Sequence, residues 1–250
     1  DVYKRQLPSR TALITGMFGI RNGVINHGGR AADLQPEGKD RGFFGRFSMR
    51  SWASVFYLAG WHTASISSFP FRHGASWWNS GFMESMNLMR GFGGERADQV
   101  IPGALDWLER RGKADDWFLH VHLWDPHTPY RTPEDYGNPF ESDPVPSWHT
   151  EDVRMANWDL AGPHSAQEPW GFRPDEWGEP PPRQPWNASS MDAVKQIFDG
   201  YDVGIRYADD AVGVLLNKLA DLDVLQDTAV LISSDHGEAF GELGVYADHQ

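Results

Sequence analysis

Thr228-Ala-Val-Leu-Ile-Ser-Ser-Asp-His-Gly237 is the stretch whose reading decides the fold. Residues 228–233 form a continuous, largely apolar run of strand length, closed by a polar turn. Before it, Met191 to Asp221 carries Ile197, Tyr201, Ile205, Ala208, Val212, Leu215, Leu216 and Leu219 on one helical stripe. A helix leading into an apolar run without alternation suits a buried parallel strand. Working outward, Trp117 to Trp124 reads as a second strand, stopped by Asp125-Pro126. Ala64 to Ser67 reads as a third. Ser51 to Ala59, closed by Gly60, and Asp98 to Arg111, closed by Gly112, have helical spacing. Helices alternating with buried strands predict an α/β fold, a mostly parallel sheet sandwiched by helices. Residues 139–185 are rich in Pro and Trp without a clear period, and read as an insertion.

Composition narrows the function classes. A chain of 250 residues holds one large domain or two modest ones at roughly 150 per domain. With 22 basic against 35 acidic residues, net charge −13, it lacks the footprint of a general nucleic-acid binder. No run approaches the ~18 apolar residues of a membrane-spanning helix. The absence of cysteine excludes disulfides, thiolate metal sites and an unmodified cysteine nucleophile. The first six residues, Asp-Val-Tyr-Lys-Arg-Gln, resemble a translated library adapter, so 1–6 are expected to be non-native and 7–250 to be a partial catalytic domain.

Polar clusters stand where an open α/β sheet gathers its ligands, beyond the carboxyl ends of the strands. Asp235-His236-Gly237 follows the run ending at Ser233, and its carboxylate and imidazole can share one divalent cation. The same tripeptide also serves as a turn with a capping Asp. Asp125-Pro126-His127 follows the strand at 117–124. Near the start, Pro8-Ser9-Arg10 places a guanidinium at a helix N-terminus, a setting for a tetrahedral anion or simply for a surface Arg. His120 and His122 alternate with apolar residues and share one strand face, which suits satisfied buried or edge histidines rather than ligands. Trp77-Trp78 with Gly81-Phe82 reads as packing.

Three of these stretches together resemble the formylglycine-dependent (type I) sulfatases of the alkaline phosphatase superfamily. Pro8-Ser9-Arg10 with Thr15-Gly16 matches the latter part of the motif Cys/Ser-x-Pro-Ser-Arg-x-x-x-x-Thr-Gly. Residues 228–237 are similar to the family's metal-binding strand and turn, and Trp124-Asp-Pro-His-Thr-Pro-Tyr130 to its central histidine segment. The resemblance implies a sulfuric ester hydrolase. Arg10 would hold the nucleophile, Asp235 and His236 would bind a divalent cation, in this family usually Ca²⁺, and His127 would protonate the departing alcohol. Asn26 or His27 would contact sulfate. The nucleophile, a formylglycine made by a maturation enzyme, would stand at Gln6, a residue that cannot supply it, so the chain as written is expected to be inactive. The family's Gly-Lys-x-His is replaced by Ser67-Ser-Phe-Pro-Phe-Arg72-His73, where His73 or Arg72 would take over. His249 would replace a later Lys as a sulfate ligand. The implied partner is a small-molecule or glycan sulfate ester. The alternatives are a phosphodiesterase or phosphonate hydrolase of the same superfamily, or a catalytically dead anion-binding homologue.

Overall fold

Hydrophobic spacing decides which side chains face inward, and the elements of the chain follow from it. The computed structural model describes residues 6–26, 51–88, 94–170 and 181–248. In chain order the main elements are α1 (Gln6–Thr15), α2 (Gly19–Asn22), α3 (Trp52–Leu58), β1 (His62–Ile66), α4 (Phe69–Arg72), β2 (Glu84–Met86) and α5 (Ala97–Arg111). There follow β3 (Trp117–Val121), α6 (Glu151–Trp158), α7 (Met191–Asp221), β4 (Ala239–Phe240) and β5 (Tyr246–Asp248). They fall into two compact units, residues 1–124 with 211–236, and residues 125–210 with 237–250.

The first unit holds a parallel sheet in the order β2–β1–β3. β1 and β3 pair from His62 opposite Trp117 to Ile66 opposite Val121. Parallel strands need crossover connections, and α5 supplies the one that carries the chain from β2 past β1 to β3. Because side chains alternate along a strand, each face of the sheet has its own core. On one face Ala64 and Ile66 meet Val100, Ala104, Trp107 and Leu108 of α5, with Leu219 and Leu222 beside them. On the other, Leu7 of α1 and Phe69 of α4 pack with Val24, Trp78 and Trp124. Helices cover both faces, as the sequence predicts. Ser51 caps α3 by accepting the Ser54 N–H at 3.1 Å.

One strand expectation fails. Residues 228–233 form no strand, and Val230, Leu231 and Ile232 are 47%, 71% and 68% exposed. Among the described residues no sheet ladder reaches them. An apolar run becomes a buried strand only when a partner strand satisfies its backbone, and that condition lies outside the run itself.

The second unit packs Tyr130, Val194, Ile197, Tyr246 and their neighbours into one core, with β4 and β5 antiparallel. Within 139–185 the structure places a helix, α6, that hydrophobic periodicity does not mark. Its buried residues are Arg154 and Asn157, which satisfy themselves through Glu151, the Ala188 carbonyl and the Gly241 carbonyl. Polar burial of this kind is invisible to an apolar-stripe reading. Residues 171–180 of that stretch lie outside the described residues.

Two glycines in the middle of α7 have a packing role. A Cβ on Gly200 would sit 2.2 Å from the Arg183 carbonyl oxygen, and one on Gly204 2.6 Å from Cβ of Pro126. The glycines therefore seat the segment that carries His127 against the helix. Gly204→Ala is expected to cost about 1–3 kcal/mol through overpacking, read as a lower denaturation midpoint in urea. Higher stability, from the ~1 kcal/mol gain in helix propensity, would show that Pro126 moves aside.

Candidate functional site

Arg10 projects from α1 into the aromatic face of the first unit's sheet. Its Nε lies 2.7 Å from Oδ2 of Asp235, and the two side chains are only 12% and 18% exposed. Ser9 Oγ donates to the Asp235 carbonyl at 2.6 Å, so neighbouring residues of one helix grip both the side chain and the backbone of the turn. The guanidinium carbon stands 4.5 Å from the Phe69 ring centroid and 5.5 Å from that of Trp124. Cation–π attraction of this kind is stronger where water is excluded. Burial pulls the Arg10 pKa down, while the Asp235 charge and hydrogen bond oppose the fall. A guanidinium titrates too high to lose its proton, so the shift marks a charge held at a cost. Arg10 Nη1 is buried with no hydrogen-bond partner among the described residues. A cation with one nitrogen committed to a carboxylate and another left over can accept a second anion.

Around this centre stand further basic groups. Arg72 lies 4.6 Å over the Trp124 ring. His73 packs at 4.6 Å from Phe69 and 6.3 Å from Trp124. His236 Nε2 is 3.4 Å from the same Asp235 Oδ2 that Arg10 holds. The structure thus brings together Arg10, His73, Asp235 and His236 of the expected site residues. Asn26 is half-buried in the bend after α2. His27 and His249 lie outside the described residues.

Gln6 is the first residue of α1 and is 1% exposed, with its Nε2 buried and unpartnered among the described residues. It stands one turn before Arg10 on the same helix. Its amide carbon has no alcohol or thiol to oxidise, so this residue does not fit a formylglycine.

His127 belongs to the second unit. Its Nδ1 donates to the Thr128 carbonyl, which fixes the ring against its own backbone. In the same unit Tyr130 Oη donates to Glu238 Oε1 at 3.3 Å, and burial beside that carboxylate drives the phenol well above its usual range.

Among the described residues no group of three or more His, Asp or Glu side chains forms a metal cluster. Asp235 Oδ2 and His236 Nε2, 3.4 Å apart, fit as two donors to one divalent cation. A Ca²⁺ shell takes six to eight oxygens, so other groups must complete it.

The sulfatase family's sequence model matches residues 8–250. The chain belongs to the sulfatase family. Its place there agrees with the fold of solved structures that it resembles. BT4656 in complex with its substrate D-glucosamine-2-N, 6-O-disulfate superposes with a TM-score of 0.64 at 17% identity, over 96% of this chain and 57% of that one. The phosphonate monoester hydrolase SpPMH from Silicibacter pomeroyi gives 0.54 at 14% identity, over 97% and 54%. Among curated sequences, iduronate 2-sulfatase of Homo sapiens is 28% identical over 164 residues, 60% of this chain and 27% of that protein. This sulfatase-family chain therefore spans about a quarter of that relative's length. The family generally uses a divalent cation and a formylglycine.

The aromatic seat of Arg10 is what sequence reasoning missed. Trp124 was legible as a strand end and Trp77-Trp78 as packing, but nothing local marks Phe69 and Trp124 as neighbours of a guanidinium. Gly200 and Gly204, spaced by one turn inside a strong helical pattern, were a readable sign of close backbone approach.

Proposed function

We propose that the protein to which this chain belongs hydrolyses a sulfate ester, and that Arg10 is the group that anchors the sulfate end. The observation that carries this reading is the buried guanidinium whose Nε is spent on Asp235 while its Nη1 is not. Planar, forked donors suit two oxygens of a tetrahedral oxyanion. His73 would add a second contact. Asp235 and His236 would hold the divalent cation, which as a Lewis acid draws electron density from sulfate oxygens. His127 would give a proton to the departing alcohol, a contribution typically of ~10²–10⁴-fold. The substrate would be a small-molecule or glycan sulfate ester, in keeping with the sulfated sugar bound to BT4656 and with the name of iduronate 2-sulfatase.

Gln6 stands where the family's nucleophile would be, and the 250-residue chain is expected to turn over neither an aryl sulfate nor a phosphate diester. A paired assay of the chain with both substrates checks this. Sulfatase turnover by the purified chain would refute the assignment of that position. Diester turnover alone would favour the phosphodiesterase reading.

A further inference from the structure

Beneath the Arg10 seat, β1 and β3 carry a polar ladder on their aromatic face. Ser65 Oγ lies 3.1 Å from His120 Nδ1, and Ser67 Oγ 3.2 Å from His122 Nδ1. Ser67 Oγ also accepts the Phe69 N–H at 3.2 Å. The hydroxyl keeps its proton and a second lone pair, so Ser67 can hold the His122 Nδ1 edge and the Phe69 backbone at the same time. The His122 ring meets Phe69 edge-on at 5.9 Å and Trp124 edge-on at 5.6 Å. These are the two rings on which the Arg10 guanidinium rests. Edge-to-face contacts fix ring orientation as well as distance. Ser67 is 3% exposed, so the arrangement is sheltered from water.

We propose that His122 is a positioning residue for Arg10: held at Nδ1 by Ser67, its ring orients Phe69 and Trp124 and so aims the guanidinium at a bound oxyanion. Ser67 acts on the site twice, through the His122 ring and through the backbone of Phe69. Nothing in the local sequence announces this, because the groups come from two stretches some 55 residues apart, Ser67 with Phe69 and His122 with Trp124. The inference rests on the reading of Arg10 as an oxyanion-binding residue only in its last step. The coupling from Ser67 to Arg10 stands on geometry alone.

The test uses the 250-residue chain and its Ser67→Ala and His122→Asn variants. Two quantities are read: hydrogen exchange of the Arg10 Nε–H by NMR without ligand, and affinity for inorganic sulfate by titration calorimetry. Loss of one sheltered hydrogen bond is worth about three- to tenfold. Both variants are expected to speed Arg10 Nε–H exchange by that factor and weaken sulfate binding by a similar one, while amides of α5, on the far face of the sheet, keep their protection. Ser67→Thr, which retains the hydroxyl, is expected to restore both. Unchanged Arg10 exchange, or acceleration shared equally by the α5 amides, would overturn the proposal, since either result makes His122 mere packing. If the unaltered chain binds no sulfate, the oxyanion reading fails while the exchange measurement still decides the positioning role.

Discussion

Asp235→Ala is expected to destabilise the chain by about 3–5 kcal/mol, the cost of leaving a buried charge without its partner. The Arg10 guanidinium cannot discharge, it is mostly shielded from water, and Asp235 Oδ2 at 2.7 Å is the carboxylate oxygen that compensates it. The Ser9 bond to the Asp235 carbonyl survives the substitution, so the loss is electrostatic rather than a failure of the turn. Urea denaturation reads it as a lower midpoint with an unchanged slope. The double variant Arg10→Met with Asp235→Leu is expected to recover most of the loss, because replacing both members of a buried pair removes the desolvation cost as well. A loss below about 1 kcal/mol for Asp235→Ala would place the pair in the class of solvated surface bridges.

The second large effect is a dependence on pH. His120 is half-buried on β3 against Trp78 and Phe82, and its desolvation there, aided by the Arg10 charge, lowers its pKa from 6.5 to about 4. In the unfolded chain the imidazole takes up a proton as pH falls through 6.5. In the folded chain it resists until about 4. Acid therefore favours the unfolded state across that window. The stability from a neutral His120 is fully present above pH 6.5 and is lost progressively toward pH 4, on the order of 3 kcal/mol. Because 35 carboxylates also respond to acid, the informative quantity is the difference between the chain and His120→Asn. The variant is expected to show a flatter profile over pH 4–6.5, measured by urea midpoints at half-unit steps. Parallel profiles would mean that the imidazole protonates freely in the folded state.

What the sequence made legible follows from the range of the forces involved. α7 and α5 could be read almost to the residue, because a helix is written in its own 3.6-residue repeat. β1 and β3 were legible from short apolar segments bounded by turns. His120 and His122 could be read as histidines sharing one face, and Ser65 and Ser67 meet their Nδ1 atoms there. The run at 230–232 has the same composition as a buried strand, yet its exposure depends on pairing elsewhere. The Arg10–Asp235 contact joins residues 225 positions apart. Neither local pattern nor charge spacing could have predicted it, and only the resemblance of two separated motifs to one family suggested that they meet. Phe69 and Trp124 were beyond reach for the same reason.

The central claim is that Arg10, braced by Asp235 and two aromatic rings, binds a tetrahedral oxyanion. Titration of the chain with sodium sulfate at constant ionic strength, followed through the Arg10 Nε–H resonance, tests it most directly. The account predicts a saturable shift of that resonance that chloride does not produce, and loss of sulfate binding in Arg10→Lys, whose single ammonium cannot hold Asp235 and an oxyanion in the same fork. A resonance indifferent to sulfate, or unchanged sulfate affinity in Arg10→Lys, would contradict it.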